Sequence, residues 1–295
     1  MSGRAIGLWS AFGVLFIWTG FLLFSRMAGG QGFTPWDVAA LRYGGSFLAA
    51  LPILAIRGLP RVPPLRALFL ALTAGIGFPL CAYWGFRFAP AAHGAVLLPG
   101  LLPFLAAALW WWAFAEPWGR RRSLSLLLVA LGMGLLALDT FGAHPGAWRG
   151  DLCFAAGCAI WTAYMWGIRR WGVGALDATL CVALLCAPLF LPLWWFLLPS
   201  AMAQLPLGAV LFQLGYQGVL AVVVAGFLFT QATVMLGGPL TATVTSVVPV
   251  LTALGAWPLL GEALGWRGLL GVALVTGGMV VGSVGALTRR GTGQG

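Results

Sequence analysis

The sequence predicts an all-α integral membrane protein with ten transmembrane helices arranged as two inverted five-helix repeats. Three observations predict it. Of 295 residues, 61% are hydrophobic and only 7% charged, a composition that no water-soluble domain of this length supports. The chain contains ten apolar stretches, each near the roughly 20 residues that a bilayer core requires. The second half also repeats the first: Pro103 answers to Pro249 and Glu116 to Glu262, both at a separation of 146 residues. The apolar runs do not alternate with polar residues, which favours helices over the strands of a membrane barrel.

The first stretch, 6–27, follows Arg4 and carries Trp18 and Thr19; it has no small-residue cleavage site, so it is expected to be a retained helix and not a signal peptide. Helix two is expected over 36–56 and helix three over 66–88, with Pro79 and Tyr83 inside the latter. Helix four, 92–114, opens on His93 and contains Pro99 and Pro103, and helix five covers 123–141 with Gly132 and Met133. The second copy runs over 150–169, 176–198, 208–234, 238–260 and 265–287. There Trp161 and Thr162 match Trp18 and Thr19 at 143 residues, and Gly278 and Met279 match Gly132 and Met133 at 146. The two repeats are therefore expected to be 1–145 and 146–295. Pro79, Pro99, Pro103 and Pro249 each remove a backbone hydrogen bond within a span, as hinges or as static kinks. The glycines at 271, 277, 278, 282 and 285 give helix ten a small-residue face, for packing inside the bundle or for a dimer seam.

Five spans is an odd number, so the second copy must enter the membrane in the opposite orientation, and the charges agree. All sixteen basic residues are arginine. With both termini inside, eleven of the sixteen fall on the inner side: Arg4, Arg57, Arg61, Arg66, Arg120, Arg121, Arg122, Arg169, Arg170, Arg289 and Arg290. The triplet Arg120 to Arg122 after helix four has only Arg267 as its counterpart after helix nine, while the lone Arg26 after helix one becomes Arg169 and Arg170 after helix six. The net charge of +10 is thus assigned to membrane topology and not to nucleic acid. The abundance of Ala, Gly and Leu without lysine points to a GC-rich bacterium, and so to the bacterial inner membrane. The five cysteines, all within apolar stretches and without metal-ligand spacing, are read as small apolar residues.

Inverted repeats permit two similar bundles to exchange inward-open and outward-open states around a midplane site. The run from Ser246 to Val281, with thirteen residues from Pro249 to Glu262, the Gly261-Glu262 pair, and Gly271, Gly277 and Gly278 after it, resembles the drug/metabolite transporter superfamily, EamA type. Pro103, Glu116 and Gly132 repeat the pattern in the first half. The resemblance covers essentially the whole chain. It implies a central cavity lined by helices one, three and four of each copy, alternating access, and export of small metabolites; similar members include bacterial exporters of amino acids, some favouring aromatic ones. One departure is that helix one lacks the mid-span carboxylate with which related small multidrug-resistance proteins bind protons and cationic drugs.

Recognition is then expected from aromatic faces, amides and hydroxyls, which suit a neutral or zwitterionic substrate. The candidate substrate-binding residues are Trp18, Tyr83, Trp161, Tyr164, Gln231 and His93. For any single Trp among sixteen, a headgroup anchor or core filler is the reading that comes first. Gln231 faces another helix or cavity water. His93 caps the chain after Pro90, bonds a substrate carboxylate or titrates as a coupling group. Gln213 and Gln217 share a helical face close to the outer start of helix eight, as interfacial groups or a lid. Arg42 and Arg87 are expected to snorkel to water. Glu116 and Glu262 close helix ends or pair with arginine, with proton coupling through Glu262 the weaker option. Thr241, Thr243, Thr245 and Ser246 bond backbone or substrate.

No catalytic residue, cofactor or metal ligand is expected: two histidines and six acids do not assemble a nucleophile with its base, and no phosphate-binding loop is present. The expected function is facilitative export of amino acids, aromatic or otherwise neutral. Proton-coupled export of hydrophobic or cationic drug-like compounds is the alternative, and a passive channel or membrane scaffold the alternative of another class. Phosphorylated substrates call for central Lys or Arg, whereas arginine here is read at the margins. Partners are the substrate and membrane lipid, with the protein a monomer or homodimer.

Overall fold

Apolar runs of this length in a chain that must satisfy its own backbone fold as helices, and helices are what the structure contains. A computed structural model describes residues 3–114, 119–143, 145–236, 244–245 and 247–291, with no strand among the described residues. In chain order α1 is Gly3–Gly30, α2 Pro35–Arg57, α3 Pro64–Phe88, α4 Ala91–Phe114 and α5 Arg120–Ala143. The second half supplies α6 (Trp148–Trp171), α7 (Ala175–Leu197), α8 (residues 207–236), α9 (Val248–Leu260) and α10 (Trp266–Gly291).

Among the described residues, six helices are long and apolar enough to cross a membrane: Ala5–Gly30, Pro35–Arg57, Pro64–Phe88, Trp148–Ile168, Leu176–Leu197 and Leu207–Phe229. The apolar helices Val248–Leu260 and Trp266–Val281 are shorter. Residues 237–243 and 246, where the ninth span was expected to begin, lie outside the described residues, as do Glu116, Thr241, Thr243 and Ser246. Each of α1 to α10 leaves large apolar side chains uncovered, Ile56 at 85% and Trp112 at 77% exposure among them. Apolar surface on this scale is held by hydrocarbon and not by water.

Two of the described helices are locally widened. α3 passes from an α segment, Pro64–Leu70, through a π stretch, Ala71–Gly77, to a second α segment, Phe78–Phe88. The cause is next to it: Pro79 has no N–H for the Gly75 carbonyl, and its ring crowds that carbonyl. The Phe78 N–H bonds the Thr73 carbonyl five residues back. α8 repeats the design, with Leu207–Gln213, a π stretch over Leu214–Val224, and Ala225–Leu236. The 146-residue offset carries 71–77 onto 217–223, so the widened turns recur at equivalent places in the two halves. Pro249 stands in the first turn of α9 as described, where a missing N–H breaks no helical bond.

The chain divides into two compact units, and neither is one half of the sequence. The first draws on Met1–Leu23, Phe88–Asp151 and Leu228–Gly295, the second on Phe24–Arg87 and Leu152–Phe227. Within the first, α5 and α10 pack in close approach. A Cβ at Gly132 would lie 2.5 Å from the Gly271 carbonyl oxygen, one at Gly278 would lie 2.8 Å from the Ser125 carbonyl oxygen, and Ser125 Oγ donates to the Gly278 carbonyl at 2.6 Å. Gly271 and Gly278 therefore serve packing inside the bundle, while nothing lies within 4 Å of a Cβ at Gly277. Val96, Val129, Ala253, Val272 and Val275 close the core around them.

In the second unit, α2 opens on a capping box. Thr34 Oγ1 accepts from the Asp37 N–H at 3.1 Å, and Asp37 Oδ2 accepts from the Thr34 N–H at 3.1 Å. Asp37 is fully buried and also accepts from Trp194 Nε1 at 3.1 Å, the Ala201 N–H at 3.0 Å and Ser200 Oγ. One carboxylate thereby fastens the start of α2 to the end of α7 and the segment after it. Further in, Gly45 and Gly218 bring α2 against the widened part of α8: a Cβ at Gly218 would lie 2.6 Å from the Gly45 Cα.

Candidate functional site

The second unit holds a polar cluster in its interior, built by α1, α2, α3 and α8. Gln213 and Gln217 stand one turn apart on α8, and both are 0% exposed. Gln217 Nε2 donates to Ser25 Oγ at 3.1 Å and to Gln213 Oε1 at 3.3 Å, and Gln213 Nε2 donates to the Phe24 carbonyl at 3.1 Å. Tyr83, 3% exposed, donates its hydroxyl to Gln217 Oε1 at 3.2 Å. From α2, Arg42 Nη1 donates to the Gln217 carbonyl at 3.4 Å. The adjacent Tyr43 donates to the Ile76 carbonyl at 3.4 Å. Consecutive residues of α2 thus reach both π stretches, where wide turns turn carbonyls away from the regular ladder.

Aromatic groups form a second set in the same unit. Trp161 stands between Phe78, at 4.8 Å between ring centroids, and Tyr164, at 5.0 Å. Phe86 and Phe154 meet edge to face at 4.9 Å on the same pair of helices, α3 and α6. A Cβ at Gly85 would strike the Phe154 ring, which is why a glycine stands there.

The first unit carries the other three predicted residues. The Trp18 ring lies 5.2 Å from Phe229, and Ser10 Oγ donates to Gln231 Oε1 at 2.9 Å. His93, 3% exposed, has Nδ1 at 2.9 Å from Asp151 Oδ1. Two residues earlier the Ala91 N–H donates to Glu262 Oε2 at 2.8 Å. Acids from α6 and from the segment after α9 therefore both hold the first turn of α4, where negative charge suits a helix N-terminus. The matched threonines behave alike: Thr19 Oγ1 donates to the Leu15 carbonyl and Thr162 Oγ1 to the Cys158 carbonyl, each at 2.8 Å.

The sequence matches the model of the EamA-like transporter family twice, over residues 5–138 and 148–284. The chain belongs to the EamA-like transporter family. It is a multi-pass membrane protein of a family of transporters, not of enzymes. No curated protein matches the sequence of this EamA-like transporter. Among solved structures it is similar to one described as a crystal structure of a protein, at 21% identity and a TM-score of 0.66, covering 100% of this chain and 99% of that one. That likeness concerns the fold alone.

Of the six predicted site residues of this EamA-like transporter, Trp18, Gln231 and His93 fall in the first unit and Tyr83, Trp161 and Tyr164 in the second. Trp161 and Tyr164 stand together, whereas Trp18 pairs with Phe229, the residue equivalent to Tyr83. Two expectations are corrected. Gln213 and Gln217 form neither an interfacial rim nor a lid, because the amides satisfy one another and α1 in a closed interior. Arg42 does not snorkel: at 8% exposure its Nη1 donates to the Gln217 carbonyl, while Arg87 is exposed and lies over Trp84 at 5.2 Å. Ser25, Arg42, Gln213 and Gln217 were thus missed as site members. Their signal was a charge two turns inside an apolar span and two amides at i, i+4 spacing.

Proposed function

We propose that this EamA-like transporter exports small metabolites, most directly neutral or zwitterionic amino acids including aromatic ones, across the bacterial inner membrane. It works by alternating access and without an energy input of its own. Both termini face the cytoplasm, and the repeats 1–145 and 146–295 supply the two inverted halves. The double family match carries the transport reading. The substrate class is supported by the side chains available for recognition. Trp18 with Phe229 and Trp161 with Phe78 and Tyr164 offer aromatic faces at matched positions of the halves, and the polar cluster offers amides and hydroxyls. Rings of this kind suit stacking with an aromatic side chain.

A second reading, proton-coupled export of hydrophobic or cationic compounds, is favoured by one observation: His93 Nδ1 sits 2.9 Å from Asp151 Oδ1, a base paired with an acid. Flux of radiolabelled phenylalanine, threonine and an organic cation into proteoliposomes, with and without a pH gradient, decides between them. Saturable phenylalanine flux without the gradient supports facilitative export. Cation flux that needs the gradient and is lost in Asp151→Asn establishes the second reading, and no amino-acid flux at all removes the substrate assignment.

A further inference from the structure

At one end of the second unit α2 ends, α3 begins and α6 ends, and arginine collects there. Arg57 closes α2, Arg61 stands in the connecting loop, Arg66 lies in the first turn of α3, and Arg170 is the last residue but one of α6. All four are exposed. Their placement is stiff. The loop 58–63 turns on Gly58, at a φ of 76°, and holds Pro60 and Pro63, while Pro64 opens α3. Arg66 lies over the Trp171 ring at 5.5 Å, and that ring meets Phe69 at 5.2 Å and Trp166 at 5.8 Å. An aromatic floor thus joins α3 to α6 beside the guanidinium. Gly167 permits it, because a Cβ there would lie 2.9 Å from the Phe69 ring.

The neighbours of these arginines set their depth. Ile56, Leu59 and Leu65 are each more than three-quarters exposed. Apolar surface of this kind belongs in hydrocarbon, whereas a guanidinium needs water or an anion. Both kinds of side chain at one level, with tryptophan beside them, mark the headgroup layer of a bilayer, where the anions are phosphodiesters. The charge complements them: among the described residues the acid at this end is Asp177, in the first turn of α7, against four arginines. A guanidinium meets a phosphate through two parallel N–H donors, and one resting on a ring still donates from its edge. We propose that Arg57, Arg61, Arg66 and Arg170 form a site for an anionic phospholipid, whose phosphate they hold and whose acyl chains lie along the apolar ends of α2 and α3. A soluble phosphate ester would make no use of the exposed Ile56 and Leu65, and nucleic acid would have to enter the headgroup layer to reach the arginines. The stiff loop lowers the ordering cost of binding. The bound lipid ties together the ends of three helices, whatever the protein transports.

The test releases full-length protein from vesicles of equal phosphatidylglycerol and phosphatidylcholine into a mild detergent and counts the retained lipids by native mass spectrometry. Wild type is expected to retain phosphatidylglycerol over phosphatidylcholine by at least about tenfold, since each arginine near an anionic headgroup contributes about fivefold. In Arg66→Gln/Arg170→Gln the preference falls to about twofold or less, and Arg66→Lys, which keeps the charge but loses the planar fork, lies between. Arg120→Gln/Arg121→Gln removes the same charge from the start of α5, in the other unit, and leaves the preference unchanged. If the first double variant does not fold, Arg57→Gln/Arg61→Gln takes its place with the same expected loss. The proposal is overturned if wild type retains both lipids equally, or if the α5 variant loses as much as the site variant, which would make the attraction diffuse. It is also overturned if soluble glycerol 1-phosphate or a short DNA duplex displaces the retained lipid. Because bound lipid is read and not flux, failure here leaves the transport reading intact, and absence of amino-acid flux leaves this site standing.

Discussion

Replacing Gln217 by leucine tests whether the interior cluster is formed as described. The side chain is 0% exposed and makes three hydrogen bonds, from Tyr83 at 3.2 Å, to Ser25 at 3.1 Å and to Gln213 at 3.3 Å. The Arg42 contact goes to the main-chain carbonyl and survives the substitution. Soluble-protein values, about 1–3 kcal/mol for each group left unsatisfied, would put the loss at several kcal/mol. Interhelical bonds in membranes average nearer ~0.6 kcal/mol, because the unfolded chain in the bilayer also finds partners. The membrane value governs here, and three bonds give a loss of about 2 kcal/mol, roughly thirtyfold in the unfolding equilibrium. Tyr83→Phe removes one of these bonds, so the double variant should lose less than the sum of the singles. Denaturant unfolding in bicelles, followed by tryptophan fluorescence, measures all four proteins. A Gln217→Leu protein as stable as wild type would refute the cluster.

Three further outcomes are expected. Gly132→Ala places a methyl group 2.5 Å from the backbone oxygen of Gly271 and should cost about 1–3 kcal/mol in the same assay, whereas Gly134→Ala, with nothing within 4 Å, should be neutral; equal effects would contradict the α5–α10 packing. Asp37→Asn turns an amide donor toward the five donor groups around Asp37 and should destabilise by about 3 kcal/mol; an unchanged thermal midpoint would contradict that role as a clasp. Trp18→Ala and Trp161→Ala should each lower aromatic amino-acid flux by at least about tenfold while threonine flux falls less; equal losses for both substrates would remove aromatic stacking from recognition.

Helix positions were legible because the hydrocarbon thickness acts directly on the sequence: the expected span 36–56 stands as Pro35–Arg57 and 176–198 as Ala175–Leu197. Glu262 was also legible, since an acid recurring at a helix end suits an N–H that needs a partner, and it bonds that of Ala91. The clasp at Asp37 was missed although Thr34 and Asp37 carry the spacing of a capping box, because an acid at a membrane edge is easily assigned to water. The interior cluster was hidden for another reason. Periodicity places Gln213 and Gln217 on one face of α8, but which helix covers that face is a tertiary fact, as is the partner that draws Arg42 inward. The widened turns left half a trace: Pro79 explains the one in α3, whereas the π stretch of α8 contains no proline.

The central claim, facilitated amino-acid export by alternating access, is tested most directly by counterflow. Proteoliposomes loaded with millimolar unlabelled phenylalanine are diluted into a trace of labelled phenylalanine at equal pH on both sides. A carrier that returns loaded faster than empty will accumulate label transiently above its equilibrium level, and the overshoot should be suppressed by unlabelled tyrosine or tryptophan outside. Monotonic, non-saturable equilibration of the label would contradict the account and identify a channel.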